Sequence, residues 1–169
     1  MTTGSRVFIV DDNDDFRSSV AWMLRGEGYQ TIEYASPIKA INALQLTRAS
    51  ELHHSCILLD VRMPEMNGLE FHEQLRTRKI FVPVVYMTGH GDVPLAVEAM
   101  KKGAVSLLEK PLKTDALLDA VETAISSSVV AKPVEQAMEM PAEQRANFIA
   151  SMRSLTPREE EVLLSLIHI

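Results

Sequence analysis

The sequence predicts an α/β protein built on a doubly wound, five-stranded parallel sheet. Five short apolar runs are separated by segments in which apolar residues recur at helical spacing. The run Cys56–Leu59 shows no alternation of apolar and polar residues, which is typical of a strand buried on both faces of a parallel sheet. Strands that alternate with helices in this way favour a parallel sheet covered by helices on both faces.

The first part of the chain contains three predicted strands and two predicted helices. The strands are Arg6–Val10, Thr31–Tyr34 and Cys56–Asp60. Asn13 or a neighbouring Asp can cap the first helix, and Gly26 and Gly28 would end it. Ser36 and Pro37 open the second helix. Its inner face is predicted to consist of Ile38, Ile41, Ala43 and Leu44.

The second part of the chain continues the alternation. Pro64 and the Asn67-Gly68 pair break the chain after the third strand. The predicted elements that follow are a helix over 68–78, a strand over 83–87, a helix from a cap at Asp92 to Gly103, a strand over 104–109 and a helix over 114–125. Ser126–Ser128 is then predicted to begin a linker.

Composition narrows the possible functions. The chain has 169 residues, enough for one domain and part of another. Its formal net charge of -6 gives no general electrostatic case for nucleic-acid binding. The single cysteine, Cys56, permits no intrachain disulfide. The sequence contains no run of about 18 apolar residues, the length needed to span a membrane. We therefore expect a cytoplasmic protein without a membrane partner.

Polar residues stand where four of the predicted strands end. These residues are Asp11, Asp12, Asp60, Thr88 and Lys110. Because the carboxyl ends of parallel strands lie at one edge of the sheet, we expect these side chains to converge there. Clustered carboxylates suit Mg²⁺, and a lysine with a hydroxyl suits a phosphoryl group. The alternative is that each of these residues only caps a loop.

The motifs around these residues resemble the receiver domain of two-component response regulators. They are Ile9-Val10-Asp11-Asp12, Leu59-Asp60-Val61-Arg62-Met63-Pro64, Met87-Thr88-Gly89 and Glu109-Lys110-Pro111. The resemblance covers about residues 5 to 126 and implies a flavodoxin-like (βα)5 receiver domain over 1–126. Within that family, the runs Thr88–Pro94 and Ala96–Lys101 are similar to the FixJ-like subgroup.

The resemblance implies a role for each site residue. Asp60 would accept a phosphoryl group from a sensor histidine kinase. Asp12, Asp60 and the backbone carbonyl of Arg62 would bind Mg²⁺ directly, and Asp11 would act through water. Thr88 would bond the phosphoryl group and move on activation. Lys110 would pair with that group, and its bond to Pro111 is expected to be cis.

The resemblance also implies what the protein does as a whole. It would be a phospho-accepting signalling protein rather than a classical enzyme, although the receiver would assist its own phosphorylation and dephosphorylation. Phosphorylation is expected to produce a homodimer through the region Val93 to Glu109. One departure is Leu107, because the family usually has Phe or Tyr three residues before the lysine. The family's switch from threonine to aromatic ring is therefore not predicted in detail, and Leu107 can equally be plain strand core.

The last part of the chain is predicted to form a linker and the start of a second domain. Residues 127–153 would form a helical linker, with apolar or small residues near a 3.5-residue spacing. Thr156 and Glu159 form a capping box around Pro157. The stretch 154–169 resembles the opening of the LuxR/FixJ-type helix-turn-helix effector, cut short before its recognition helix. DNA binding is therefore expected only of a full-length protein.

Two other classes of protein remain possible from the residues alone. A Mg²⁺-dependent phosphohydrolase of the haloacid type would have an acid two residues after Asp60, where this sequence has Arg62. A flavodoxin-like binding module without phosphorylation would need neither Lys110 nor clustered acids.

Overall fold

The computed structural model describes residues 4–89 and 93–139, with side chains described up to residue 127 except at 93 and 96. The strands are β1 (Arg6–Val10), β2 (Gln30–Tyr34), β3 (Ser55–Asp60), β4 (Val84–Thr88) and β5 (Ser106–Glu109). The helices are α1 (Asp14–Gly26), α2 (Pro37–Leu46), α3 (Ala49–Leu52), α4 (Gly68–Thr77), α5 (Val93–Lys101) and α6 (Thr114–Glu139).

The five strands form one parallel sheet in the order β2-β1-β3-β4-β5. The predicted doubly wound sheet is confirmed. The direction in which the chain adds strands reverses between β1 and β3, and ligand sites of such sheets lie outside the strand ends at this point. Val10 pairs with Leu59 in the register of these two strands, so the residue after Val10 and the residue after Leu59 lie side by side at the sheet edge.

Helices cover both faces of the sheet, and the strands are buried between two apolar clusters. In β3, Ile57 and Leu59 belong to one cluster, and Cys56 and Leu58 belong to the other. Every residue of β3 is buried. The absence of alternation in this run therefore reflects burial on both faces, as predicted.

The first helix begins where the sequence predicts. The side chain of Asn13 accepts a hydrogen bond from the backbone N–H of Phe16 at 2.9 Å, which caps α1. Asp14 and Asp15 in its first turn complement the helix dipole. Val20, Ala21 and Leu24 bury the inner face. This cap fixes how the chain leaves β1 and enters α1.

The inner face of the second helix differs from the prediction at Ile38. Ile38 is 46% exposed, and Ala43 is only half-buried. The buried stripe consists of Pro37, Ala40, Ile41 and Leu44. These positions follow the i, i+3, i+4, i+7 pattern of one helix face, and Ile38 lies one position, about 100°, away from it. The short helix α3 was not predicted, because four residues are too few to show a periodic apolar pattern.

Several boundaries differ from the prediction by one or two residues, and the end of the last helix differs by more. β5 begins at Ser106 rather than Ala104, because the N–H of Ala104 still bonds to the carbonyl of Ala99 in the turn that ends α5. The last helix continues to Glu139 rather than ending near Ile125. The hydroxyl of Ser127 donates to the carbonyl of Ala124 at 2.7 Å, so serine is accommodated within the helix.

The chain divides into two compact units, Met1–Ser128 and Val129–Ile169. The predicted cap at Asp92, the linker beyond residue 139 and the effector segment 154–169 lie outside the described residues. Among the helices that are described, none has the length and hydropathy that a bilayer crossing requires.

Candidate functional site

The carboxyl edge of the sheet carries the predicted site residues. Asp11 directly follows β1, Asp60 ends β3, Thr88 ends β4 and Lys110 directly follows β5. The N–H of Val61 donates to the carbonyl of Met87 at 3.1 Å, and the N–H of Lys110 donates to that of Thr88 at 2.7 Å. Backbone hydrogen bonds thus hold the ends of β3, β4 and β5 in line.

Three carboxylates meet at this edge. Asp11, Asp12 and Asp60 each offer an oxygen, and these oxygens lie within 4.8 Å of one another. Asp11 is fully buried and Asp60 is 7% exposed, whereas Asp12 is exposed to solvent. The arrangement therefore has two buried acids and one open side.

Lys110 supplies the positive charge of the site. Its Nζ lies 2.7 Å from Oδ2 of Asp11 and 3.4 Å from Oδ1 of Asp60. The ammonium group therefore bridges the two buried acids. The peptide bond between Lys110 and Pro111 is cis, as predicted.

Both oxygens of Asp11 already have partners. Oδ1 accepts the N–H of Asn13 at 2.9 Å, and Oδ2 accepts Lys110 at 2.7 Å. A carboxylate engaged in this way suits an indirect role toward a metal. Asp12 and Asp60 are then the carboxylates best placed for direct coordination.

The surroundings of Asp60 disfavour the ionised form of its carboxyl group. The pKa of its carboxyl is raised to about 6, chiefly by burial and in addition by the negative charge of Asp11. Lys110 and the N–H of Arg62, which lies 3.4 Å from Oδ1 of Asp60, oppose that rise. A second cation beside these acids would offset the repulsion that remains.

The donor set fits magnesium. Clustered carboxylate oxygens with an open, solvent-facing side match its preference for oxygen ligands and retained waters. Asp12 and Asp60 would hold the ion, which would supply neutralising charge at the oxygen of Asp60. The ligand role predicted for the Arg62 carbonyl stays a prediction.

Thr88 and Leu107 occupy the neighbouring strand ends. Thr88 is 5% exposed, and its hydroxyl donates to the carbonyl of Gly89 at 3.3 Å. Leu107 lies opposite Tyr86 in the β4–β5 register and packs, partly buried, against the apolar cluster that contains Phe8 and Ile57. In this structure Leu107 behaves as strand core.

Three residues of the site were not singled out in the sequence. Phe16 places its ring centroid 4.2 Å from Nζ of Lys110. Arg17 donates to the carbonyl of Asp11 at 2.7 Å and to Asp14 at 2.7 Å. Gly68 lies so close to the end of β3 that a Cβ at this position would be 2.6 Å from the carbonyl oxygen of Asp60. Only Gly68 had a signal, since it follows Asn67 directly after the third strand.

Comparison with known proteins identifies the family. Residues 7–122 match the model of the response regulator receiver domain. The transcriptional regulatory protein FixJ of Bradyrhizobium diazoefficiens is 35% identical over 167 residues, which cover 99% of this chain and 76% of that protein. FixJ of Azorhizobium caulinodans is 37% identical over 162 residues, covering 96% of this chain and 71% of that protein.

Solved structures agree with this result. The FixJ-N crystal structure, 38% identical, matches with a TM-score of 0.66 over 72% of this chain and 94% of its own. The response regulator StyR, 34% identical, matches with a TM-score of 0.68 over 97% of this chain and 77% of its own. The chain belongs to the response regulator receiver domain family, with FixJ transcriptional regulatory proteins among its relatives.

Proposed function

We propose that this protein is a FixJ-type response regulator that accepts a phosphoryl group on Asp60 from a sensor histidine kinase. The observation that carries the proposal is the position of Asp60. It shares the ammonium group of Lys110 with Asp11, and one of its oxygens lies within 4.8 Å of oxygens of Asp11 and Asp12 at one sheet edge. A carboxylate that merely capped a loop would need neither arrangement.

In the proposed reaction, an oxygen of Asp60 attacks the phosphorus of a kinase phosphohistidine. A phosphorus–oxygen bond forms, the phosphorus–nitrogen bond breaks, and the imidazole nitrogen keeps the electron pair. Lys110 would shift its hydrogen bonds toward the phosphoryl oxygens, and Thr88 would donate its hydroxyl to them. Apart from the nucleophilic oxygen of Asp60, the protein would contribute positioning and charge stabilisation to this reaction.

The output follows from the relatives. The FixJ relatives are transcriptional regulatory proteins, and we propose the same role for this chain. Residues 127–153 would connect the receiver to an effector beginning at 154, and DNA binding would require a complete effector domain. Phosphorylation would control that output by changing how two receivers associate.

The acceptor role of Asp60 is tested by labelling with acetyl phosphate and Mg²⁺. Asp60→Asn keeps the shape of the side chain but removes the nucleophilic oxygen, so covalent labelling measured by intact mass should be abolished. Asp15→Asn, an exposed acid in the first turn of α1, is the matched control and should label as the unaltered protein does. Labelling of the Asp60 variant at the normal rate would contradict the assignment.

A further inference from the structure

The environment of Lys110 contains an aromatic ring as well as two carboxylates. Its ammonium group has three N–H donors. Oδ2 of Asp11 lies 2.7 Å away, Oδ1 of Asp60 lies 3.4 Å away, and the face of Phe16 lies 4.2 Å away at its centroid. The side chain of Lys110 is only 24% exposed, so the ring takes a place that water would otherwise take.

A closed set of contacts links Phe16 to Asp11 and Lys110. Asp11 accepts the N–H of Asn13 at 2.9 Å, and the side chain of Asn13 accepts the N–H of Phe16 at 2.9 Å. The Phe16 ring contacts Lys110, which returns to Asp11 at 2.7 Å. Phe16 also packs, partly buried, against the apolar cluster that contains Val20 and Leu24. These contacts hold the start of α1, and Phe16 with it, next to Lys110.

We propose that Phe16 is a positioning residue for phosphoryl transfer, because its ring face holds the Lys110 ammonium group beside Asp60. This inference rests on the proposed acceptor role of Asp60. Attraction between a cation and a ring face does not depend on the direction of one N–H bond. Lys110 can therefore turn its N–H groups from the carboxylates toward phosphoryl oxygens while it keeps the ring contact.

The test measures the maximal rate of labelling by acetyl phosphate and Mg²⁺ in the whole chain. Phe16→Leu keeps an apolar side chain but removes the ring, and we expect the maximal rate to fall about three- to tenfold. Phe16→Tyr and Phe16→Trp keep a ring face and should retain most of the rate. Trp22→Leu is the matched control, since Trp22 is on the same helix and 76% exposed, and its rate should be unchanged.

A double-mutant comparison separates positioning from packing. In a Lys110→Met background the ring has no ammonium group to hold, so adding Phe16→Leu should lower the rate no further. A Phe16→Leu rate equal to that of the unaltered protein would overturn the inference. Equal losses in the Leu, Tyr and Trp variants would also overturn it, because they would indicate packing alone.

The two proposals fail in different ways. If the unaltered protein takes no label and matches Asp60→Asn, the acceptor role fails and the role of Phe16 fails with it. If the unaltered protein is labelled at Asp60 but Phe16→Leu has no effect, only the role of Phe16 fails.

Discussion

The sequence predicts the positions of some residues at the carboxyl edge of the sheet but not all of the contacts that they make. Asp11, Asp60, Thr88 and Lys110 could be placed, because a parallel sheet brings all its strand ends to one edge whatever the loops do. The contact between Phe16 and Lys110 could not be placed. Those two residues are far apart in the chain, and their contact depends on side-chain direction, which spacing does not encode.

His72 is a buried titratable residue that the proposed mechanism does not use. It lies in α4, is 9% exposed, and its Nδ1 is 3.0 Å from the hydroxyl of Tyr86. Burial lowers the pKa of its imidazole, with Arg76 and Lys102 acting in the same direction and Glu73 opposing them. The folded protein therefore holds this imidazole neutral at a pH where the unfolded chain has begun to protonate it.

This predicts an acid sensitivity that one substitution removes. As pH falls below about 6.5, the unfolded state binds a proton that the folded state does not, so His72 lowers the free energy of unfolding, by at most about 1.4 kcal/mol per pH unit. His72→Gln removes this contribution. Urea titrations from about pH 8 to about pH 5 measure the free energy of unfolding of both proteins. As the pH falls, that free energy should rise in the variant relative to the unaltered protein. A difference that stayed constant would contradict the prediction.

At the scale of elements, the start of α4 is packed directly against the end of β3. The N–H of Gly68 donates to the carbonyl of Val61 at 2.8 Å, and Asn67 and Glu70 form a capping box. A Cβ at Gly68 would lie 2.6 Å from the carbonyl oxygen of Asp60 and 3.0 Å from Cα of Val61. Both neighbours are backbone atoms, so no side-chain rotation could relieve the contact.

Gly68→Ala should therefore disturb the site as well as the fold. We expect a loss of about 1–3 kcal/mol in the free energy of unfolding, measured by urea denaturation, and weaker binding of beryllofluoride with Mg²⁺. Gly26→Ala is the matched control, since nothing lies within 4 Å of a Cβ built at that helix end. The control should be neutral or stabilising by up to about 1 kcal/mol. Equal stability of the two variants would contradict this account.

The elements also show why boundaries are harder to predict than the elements themselves. Apolar runs predicted the five strands because burial on both faces requires unbroken hydrophobic sequence. The end of the last helix was missed because serine has only a weak preference against helices, and Ser127 satisfies its hydroxyl on the carbonyl of Ala124. Ile38 was misplaced because apolar character alone does not fix which side of a helix start faces the sheet.

For the first compact unit as a whole, α5 offers an apolar surface on the β5 side of the sheet. Val97 is 50% exposed and Met100 is 48% exposed. A phosphoryl group on Asp60 would carry about -1.5 to -2 charges beside Thr88 and Lys110, in place of the single charge of the carboxylate. Both donors would be drawn toward it, and with them the end of β4, which leads to α5, and the end of β5. The surface that Val97 and Met100 share would therefore change with phosphorylation.

We predict that phosphorylation promotes pairing of two receivers through the region Val93 to Glu109. A shift of a few kcal/mol is enough to turn a minor arrangement into the dominant one. Light scattering with beryllofluoride and Mg²⁺, at a concentration on the order of tens of micromolar, should show a dimer that is absent without the ligand. Val97→Asp should remain monomeric, because a charge at that position would have to be desolvated. The matched control is Leu46→Asp on α2, where the leucine is 87% exposed, and it should dimerise normally. A monomer in both conditions, or a dimer unaffected by Thr88→Ala, would count against this coupling between Asp60 and the surface of α5.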